Sequence, residues 1–135
     1  MRILFTSLNC LADPSSGAAI SVRTILSMLA LRGHQVMSIT AASFDNAPFE
    51  TEPEMLRWLK FSANADGTWS RQDKGIVHLC LPAGHTKLSR LTAQNVTRVT
   101  ELALAPARAF DPDIVVSFGG SIFEMTLRQA LQDQG

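Results

Sequence analysis

The residues whose types and spacing suit chemistry gather in two short turns. The first reads Ser15-Ser16-Gly17-Ala18 and runs directly into an amphipathic stretch. Small residues ahead of a helix leave main-chain N–H groups bare at the positive end of its dipole, an arrangement that attracts phosphate or carboxylate oxygen. Ser16 is equally the expected N-cap, and Gly17 suits a tight turn, so the same letters also serve a purely structural purpose. The second turn, Phe118-Gly119-Gly120-Ser121, follows an apolar run. Its glycines allow a backbone approach, while Ser121 and Glu124 form a capping-box pattern that accounts for both side chains locally.

The remaining reactive residue types are more scattered. His85, in the loop Pro82-Ala83-Gly84-His85-Thr86-Lys87, is the histidine placed like a site residue, although lone loop histidines are commonly just solvated. His34 sits just past a helix end, where a cation favours the dipole, and His78 reads as a core or sheet-face residue. Trp58, Phe61 and Trp69 read as core or groove aromatics before they read as a stacking platform. No Ser-His-Asp, Cys-His or paired-carboxylate spacing appears, so no catalytic residue is assigned. The absence of G-x-G-x-x-G and of G-K-[ST] disfavours a nucleotide-binding oxidoreductase. Cys10 and Cys80 lack metal-type spacing and are expected to be ordinary reduced thiols, so no metal and no cofactor is implied.

The elements that must position these turns alternate in type. Ile3-Leu4-Phe5 marks a short strand buried on both faces. Val22, Ile25, Leu26, Leu29 and Ala30 then predict a helix over about 17–32, with Ser16 as N-cap and Gly33 beyond its end. His34 to Ala42 predicts a second strand. Thr51 and Glu54 form a capping box that opens a helix over about 52–64, and Gly75 to Pro82 predicts a third strand. Leu91, Val96, Val99, Leu102 and Ala103 lie on one helical stripe that Pro106 kinks or ends. Asp111 to Phe118 predicts a fourth strand, and a helix begins after it. This alternation implies an α/β fold: a Rossmann-like parallel sheet of about four or more strands with helices on both faces, whose ligands sit beyond the carboxyl ends of the strands.

Composition narrows the function classes. The chain has 135 residues, a length that suits one domain. Twelve basic residues balance twelve acidic ones, leaving no field that would draw in nucleic acid or an anionic membrane. The apolar runs fall short of a membrane span and no cleavable signal pattern opens the chain, so a cytoplasmic protein is expected.

Residues 15–40, SSGAAISVRTILSMLALRGHQVMSIT, resemble the start of GT-B glycosyltransferases, in particular the amino-terminal domain of the family-four-like enzymes. These open with a strand, a glycine loop, a helix ending in L-x-x-R-G-H-x-V and a second strand. The ending here is Leu29-Ala30-Leu31-Arg32-Gly33-His34-Gln35-Val36. Residues 110–131, FDPDIVVSFGGSIFEMTLRQAL, are similar to the family's P-D-[IV]-[IV] strand, small-residue loop and helix. Two details depart from the family. Gly17 stands alone where many relatives have two glycines, and Ser117-Phe118-Gly119-Gly120 holds no histidine where many relatives have one.

The resemblance implies transfer of a sugar from a nucleotide-sugar donor to a sugar or lipid acceptor, the latter at a membrane surface. The turn Ser15, Ser16, Gly17, Ala18 would face the donor phosphates and acceptor, and Phe118, Gly119, Gly120, Ser121 would line the acceptor side. On this reading residues 1–135 are a partial amino-terminal domain, inactive alone, and the nucleotide-holding domain with its glutamate pair is expected to follow Gly135. The fourth strand would then lack its usual neighbours, so self-association through a bare sheet edge is expected. The alternative is a non-enzymatic flavodoxin-like module whose loops bind a small anion or a partner protein.

Overall fold

The apolar run Ile3-Leu4-Phe5 lies inside strand Arg2–Asn9 (β1), which sits within a six-stranded sheet. Burying both faces of a strand calls for helices above and below it, and the computed structural model, which describes residues 1–133, places them there. Along the chain, β1 is followed by helix Gly17–Leu31 (α1), strand Gln35–Ser43 (β2) and helix Glu52–Trp58 (α2). Next come strands Ser62–Ala63 (β3), Trp69–Asp73 (β4) and Ile76–Leu81 (β5). Helix Ala93–Phe110 (α3), strand Ile114–Ser117 (β6) and helix Ile122–Asp133 (α4) complete the described residues.

The sheet order is β3-β4-β5-β2-β1-β6. Strands β5, β2, β1 and β6 are parallel, which bears out the Rossmann-like expectation. Counted in chain order, the parallel strands stand third, second, first, fourth. That is the Rossmann half-order; a flavodoxin-like sheet would put the third strand beside the first. The sheet order is therefore not flavodoxin-like; the strand order of that alternative is corrected, not its binding role.

Alternation along each strand sends side chains to two cores. Leu4, Ile39 and Leu81 point to one face, where Val99, Ala103 and Ala107 of α3 and Phe123 and Leu127 of α4 cover them. Ile3, Phe5, Val36 and Ile76 point to the other, against Leu26 of α1, and further along that face Cys10, Phe44 and Cys80 pack with Met55, Leu56 and Phe61 at and beyond α2. The two cysteines are free thiols with their sulfurs 3.5 Å apart. Each large aliphatic side chain so buried contributes about 2 kcal/mol.

Several boundaries differ from the sequence expectation, each for a local reason. The second helix stops at Trp58 because Lys60 turns left-handed (φ 67°), releasing the chain into β3. Strands β3 and β4 carry no apolar alternation and pair antiparallel on the edge of the sheet. Strand β4 turns into β5 through Lys74 and Gly75, both at positive φ, and a Cβ on Gly75 would meet Ala30 Cβ at 2.8 Å. Pro106 does not end α3, which continues to Phe110. Ile25 of α1 and Leu102 of α3, assigned to apolar stripes, are exposed on the flanks of their helices, and Trp58 is also exposed.

His78, as expected, is buried in the sheet. Its Nδ1 lies 3.2 Å from Ser38 Oγ, and its ring is edge-on to Phe61. Burial, aided by the Arg71 guanidinium, lowers its pKa to about 4. The unfolded chain titrates this ring near its ordinary value, about 6.5, so below that pH the unfolded state binds the extra proton. Stability due to a neutral His78 is complete above about pH 6.5 and is lost on acidification toward about pH 4, to the extent of about 3 kcal/mol. Denaturant midpoints followed across this window should fall for the native chain and flatten for His78→Gln.

Candidate functional site

Strand β1 is where the strand order reverses. The chain builds β2 and β5 on one side of β1, then returns through α3 to lay β6 on the other, so the loops after β1 and β6 diverge onto opposite faces. Such a reversal opens a crevice beyond the strand ends. Here the crevice contains a cavity of about 150 Å³. Phe5 and Ser7 form its floor, Ser16, Ala18, Ala19 and Val22 one wall, and Asp45 and Phe118 reach it from the loops after β2 and β6.

The wall begins with an irregular strand end. The β1–β2 register shifts between Ser7 and Asn9, Ser43 Oγ donates to Leu8 O at 2.6 Å, and Cys10 N donates to Ser43 O at 2.8 Å. This shift leads the chain out of the sheet and into the turn. Asp13, fully buried, then holds the turn in place. Its carboxylate accepts from Ser15 N (2.8 Å), Ser15 Oγ (2.6 Å), Asn9 Nδ2 (2.9 Å) and Asp45 N (2.8 Å). Arg23 of α1 reaches back to the same turn, donating to Leu11 O and Asp13 O.

The four residues of the first turn have distinct places. Ser15 is a strut: its hydroxyl is held by Asp13 and accepts from Asn46 N at 3.0 Å, so it does not face the cavity. Ser16 is the N-cap, accepting from Ala19 N at 3.1 Å. Among the described residues, Gly17 N and Ala18 N have no acceptor. Gly17 is not there for an unusual dihedral, since it lies in the helix, and no atom stands within 4 Å of the position its Cβ would take. What its missing side chain leaves is open ground beside two free amides.

The second turn also sorts itself. Phe118 N donates to Thr6 O, which places the half-exposed ring over the cavity. Gly119 takes φ +101°, a conformation that favours glycine, and Gly120 faces open space. Ser121 donates to Glu124 Oε2. The capping box expected there does not form: among the described residues neither side chain accepts from the other's main-chain amide. Glu124 is buried, and its Oε1 accepts from Leu8 N at 3.3 Å, so the carboxylate clamps α4 to the end of β1, where β6 no longer supplies a partner. His85 lies outside this cavity, in a separate groove with Phe49, Lys87 and Arg90.

The cavity brings together Ala18 with its free amide, the acidic residue Asp45 and the aromatic Phe118, and the free Gly17 amide adjoins it in the chain. Donor, acceptor and ring face are what a sugar's hydroxyls and carbon face require, while the helix N-terminus suits an attached phosphate. The cavity is smaller than the ~300 Å³ or more that encloses a whole ligand, so it holds one part of a larger molecule.

Asp13, Asn9, Arg23 and Asp45 are the site residues that the sequence reading missed. The Asp13-Pro14-Ser15 order is an Asx-turn signature and could have revealed the first of them; nothing in the sequence brings Asp45 to it across 32 positions. No family model, curated protein or solved structure matches the chain.

Asp13→Ala leaves four donors facing a gap and should cost about 2–4 kcal/mol in urea unfolding. Amide exchange at Ser15, Asp45 and Asn46 should accelerate together. A loss confined to Ser15 would show that the carboxylate does not join the two loops.

Proposed function

We propose that this chain is the acceptor-side, amino-terminal Rossmann-like domain of a GT-B glycosyltransferase, which moves a sugar from a nucleotide-sugar donor to a sugar or lipid acceptor. The observation that carries the reading is that Ala18, whose amide is free, lines one cavity with Asp45 and Phe118 at the strand-order reversal, the free Gly17 amide lying next to it in the chain. The third-second-first-fourth order of parallel strands supports it, as does the resemblance of residues 15–40 and 110–131 to that family.

In this reading the α1 amides meet a phosphate or sugar oxygen of the donor, where charge develops as the sugar leaves. Asp45 accepts from a sugar hydroxyl, and Phe118 covers a ring face. Glu124 is a positioning residue that ties the second turn to β1. In this reading the nucleotide is held mainly by a second Rossmann-like domain, as the family resemblance implies.

UDP-glucose added to isotope-labelled chain should shift the amide resonances of Gly17, Ala18 and residues 118–121. Ala18→Leu crowds the cavity with a residue that suits a helix and should remove those shifts while the fold persists. Resonances unmoved by millimolar donor would overturn the reading.

Among the described residues, strand β6 has β1 as its single neighbour, and Ile114, Val116 and Phe118 are exposed beside its other edge. Unpaired edge groups flanked by apolar side chains template pairing with another copy. Sedimentation velocity should therefore show dimers at high micromolar concentration, and Val116→Lys should return the chain to monomer. A native chain that stays monomeric would remove this edge from the account.

A further inference from the structure

A second hollow lies at the same end of the sheet, between the loops that follow β2 and β5. It measures about 420 Å³ and is lined by Phe49 and Glu50 on one side and His85, Lys87 and Arg90 on the other. Both walls are anchored. Phe44 and Lys87 form a parallel bridge beyond the ends of β2 and β5, with Phe44 N donating to Thr86 O at 2.8 Å and Leu88 N to Phe44 O at 3.0 Å. Glu52 accepts from Ala83 N and Gly84 N at 2.7 and 3.2 Å, which holds the loop ahead of His85. Among the described residues, neither Lys87 nor Arg90 takes part in an ion pair, and Arg98 approaches the same loop at Gly84.

A chain of zero formal net charge thus gathers Lys87 and Arg90, neither in an ion pair among the described residues, around one hollow in whose lining Glu50 is the acid. The volume falls within the range that encloses a small ligand, about 300–1,000 Å³. Two long cations and an imidazole converge on an anion better than on a neutral polyol, because charge-assisted bonds are about twice as strong as neutral ones. Phe49, held by Trp58 with ring centroids 5.7 Å apart, offers an apolar face beside them.

We infer that this groove binds a phosphate ester, its anion between Lys87, Arg90 and His85 and its ring on Phe49. Calling that ester the acceptor rests on the glycosyltransferase reading; the binding itself does not. Asp45 faces the first cavity and Ala47 to Glu50 the second, so one loop borders both.

The labelled chain titrated with inorganic phosphate and with glucose 6-phosphate, against chloride at equal ionic strength, tests this. Amides of residues 47–50 and 85–90 should shift with both phosphates. Affinity should fall about tenfold in the Lys87→Gln/Arg90→Gln double variant, whose side chains are exposed. Phe49→Ala should weaken glucose 6-phosphate more than inorganic phosphate. Vesicles of phosphatidylcholine with and without phosphatidylglycerol form the second arm; shifts with the anionic vesicles alone would support the site and identify the source as a lipid headgroup. Shifts in the groove with none at Gly17 on adding UDP-glucose would support the groove while overturning the glycosyltransferase reading. No response to phosphate in either arm, or an equal response in the double variant, would overturn the inference.

Discussion

One buried carboxylate organises the crevice. Asp13 carries a charge that water no longer solvates, and such a group is tolerated only when donors surround it. It is satisfied by the amide and hydroxyl of Ser15, the amide group of Asn9 and the amide of Asp45. Those donors come from β1, from the turn after it and from the loop after β2, so meeting the carboxylate's demand fixes two loops against each other. The Gly17 and Ala18 amides are left without acceptors among the described residues, because the turn before them has its own polar partners.

The second constraint is topological. Parallel strands present all their carboxyl ends on one side, so the loops after β1, β2, β5 and β6 meet there whatever their sequences. The reversal at β1 opens the small cavity under Phe118, and the adjoining ends of β2 and β5 open the larger cationic groove. Each loop is then secured by a carboxylate that accepts main-chain amides: Asp13 for the first, Glu52 for Ala83 and Gly84, Glu124 for Leu8. Three acids of similar appearance in the sequence share this task at three points of the rim.

The legibility of the elements follows from which interactions are local. Val22, Leu26 and Leu29 recur at helical spacing, and Ser16 and Gly33 mark the ends of α1, so that helix was readable to within a residue or two. Ile3 to Phe5 and Ile76 to Leu81 announce strands buried on both faces. Strand β4, Trp69-Ser70-Arg71-Gln72-Asp73, announces nothing, because it carries no run of apolar residues and is placed by antiparallel ladders to β3 and β5, by Trp69 against the α2 core and by Arg71 donating to Leu59 O. Trp58 and Ile25 show the opposite failure: their helical spacing was right, yet their flanks meet solvent because no further layer lies over them.

By itself the sequence determined the α/β alternation, the caps of α1 and α2, and the small-residue character of both turns, since each depends on residues within a few positions of one another. It also placed Ser16, Gly17, Ala18 and Phe118 at the ends of parallel strands. The tertiary structure alone decided that Ser15 is a strut, that Glu124 reaches Leu8 across 116 positions, and that Asp45 and His85 belong to different hollows. These outcomes depend on strand order and register. Both are set by how the two apolar faces of the whole sheet are covered, which no short window of residues encodes.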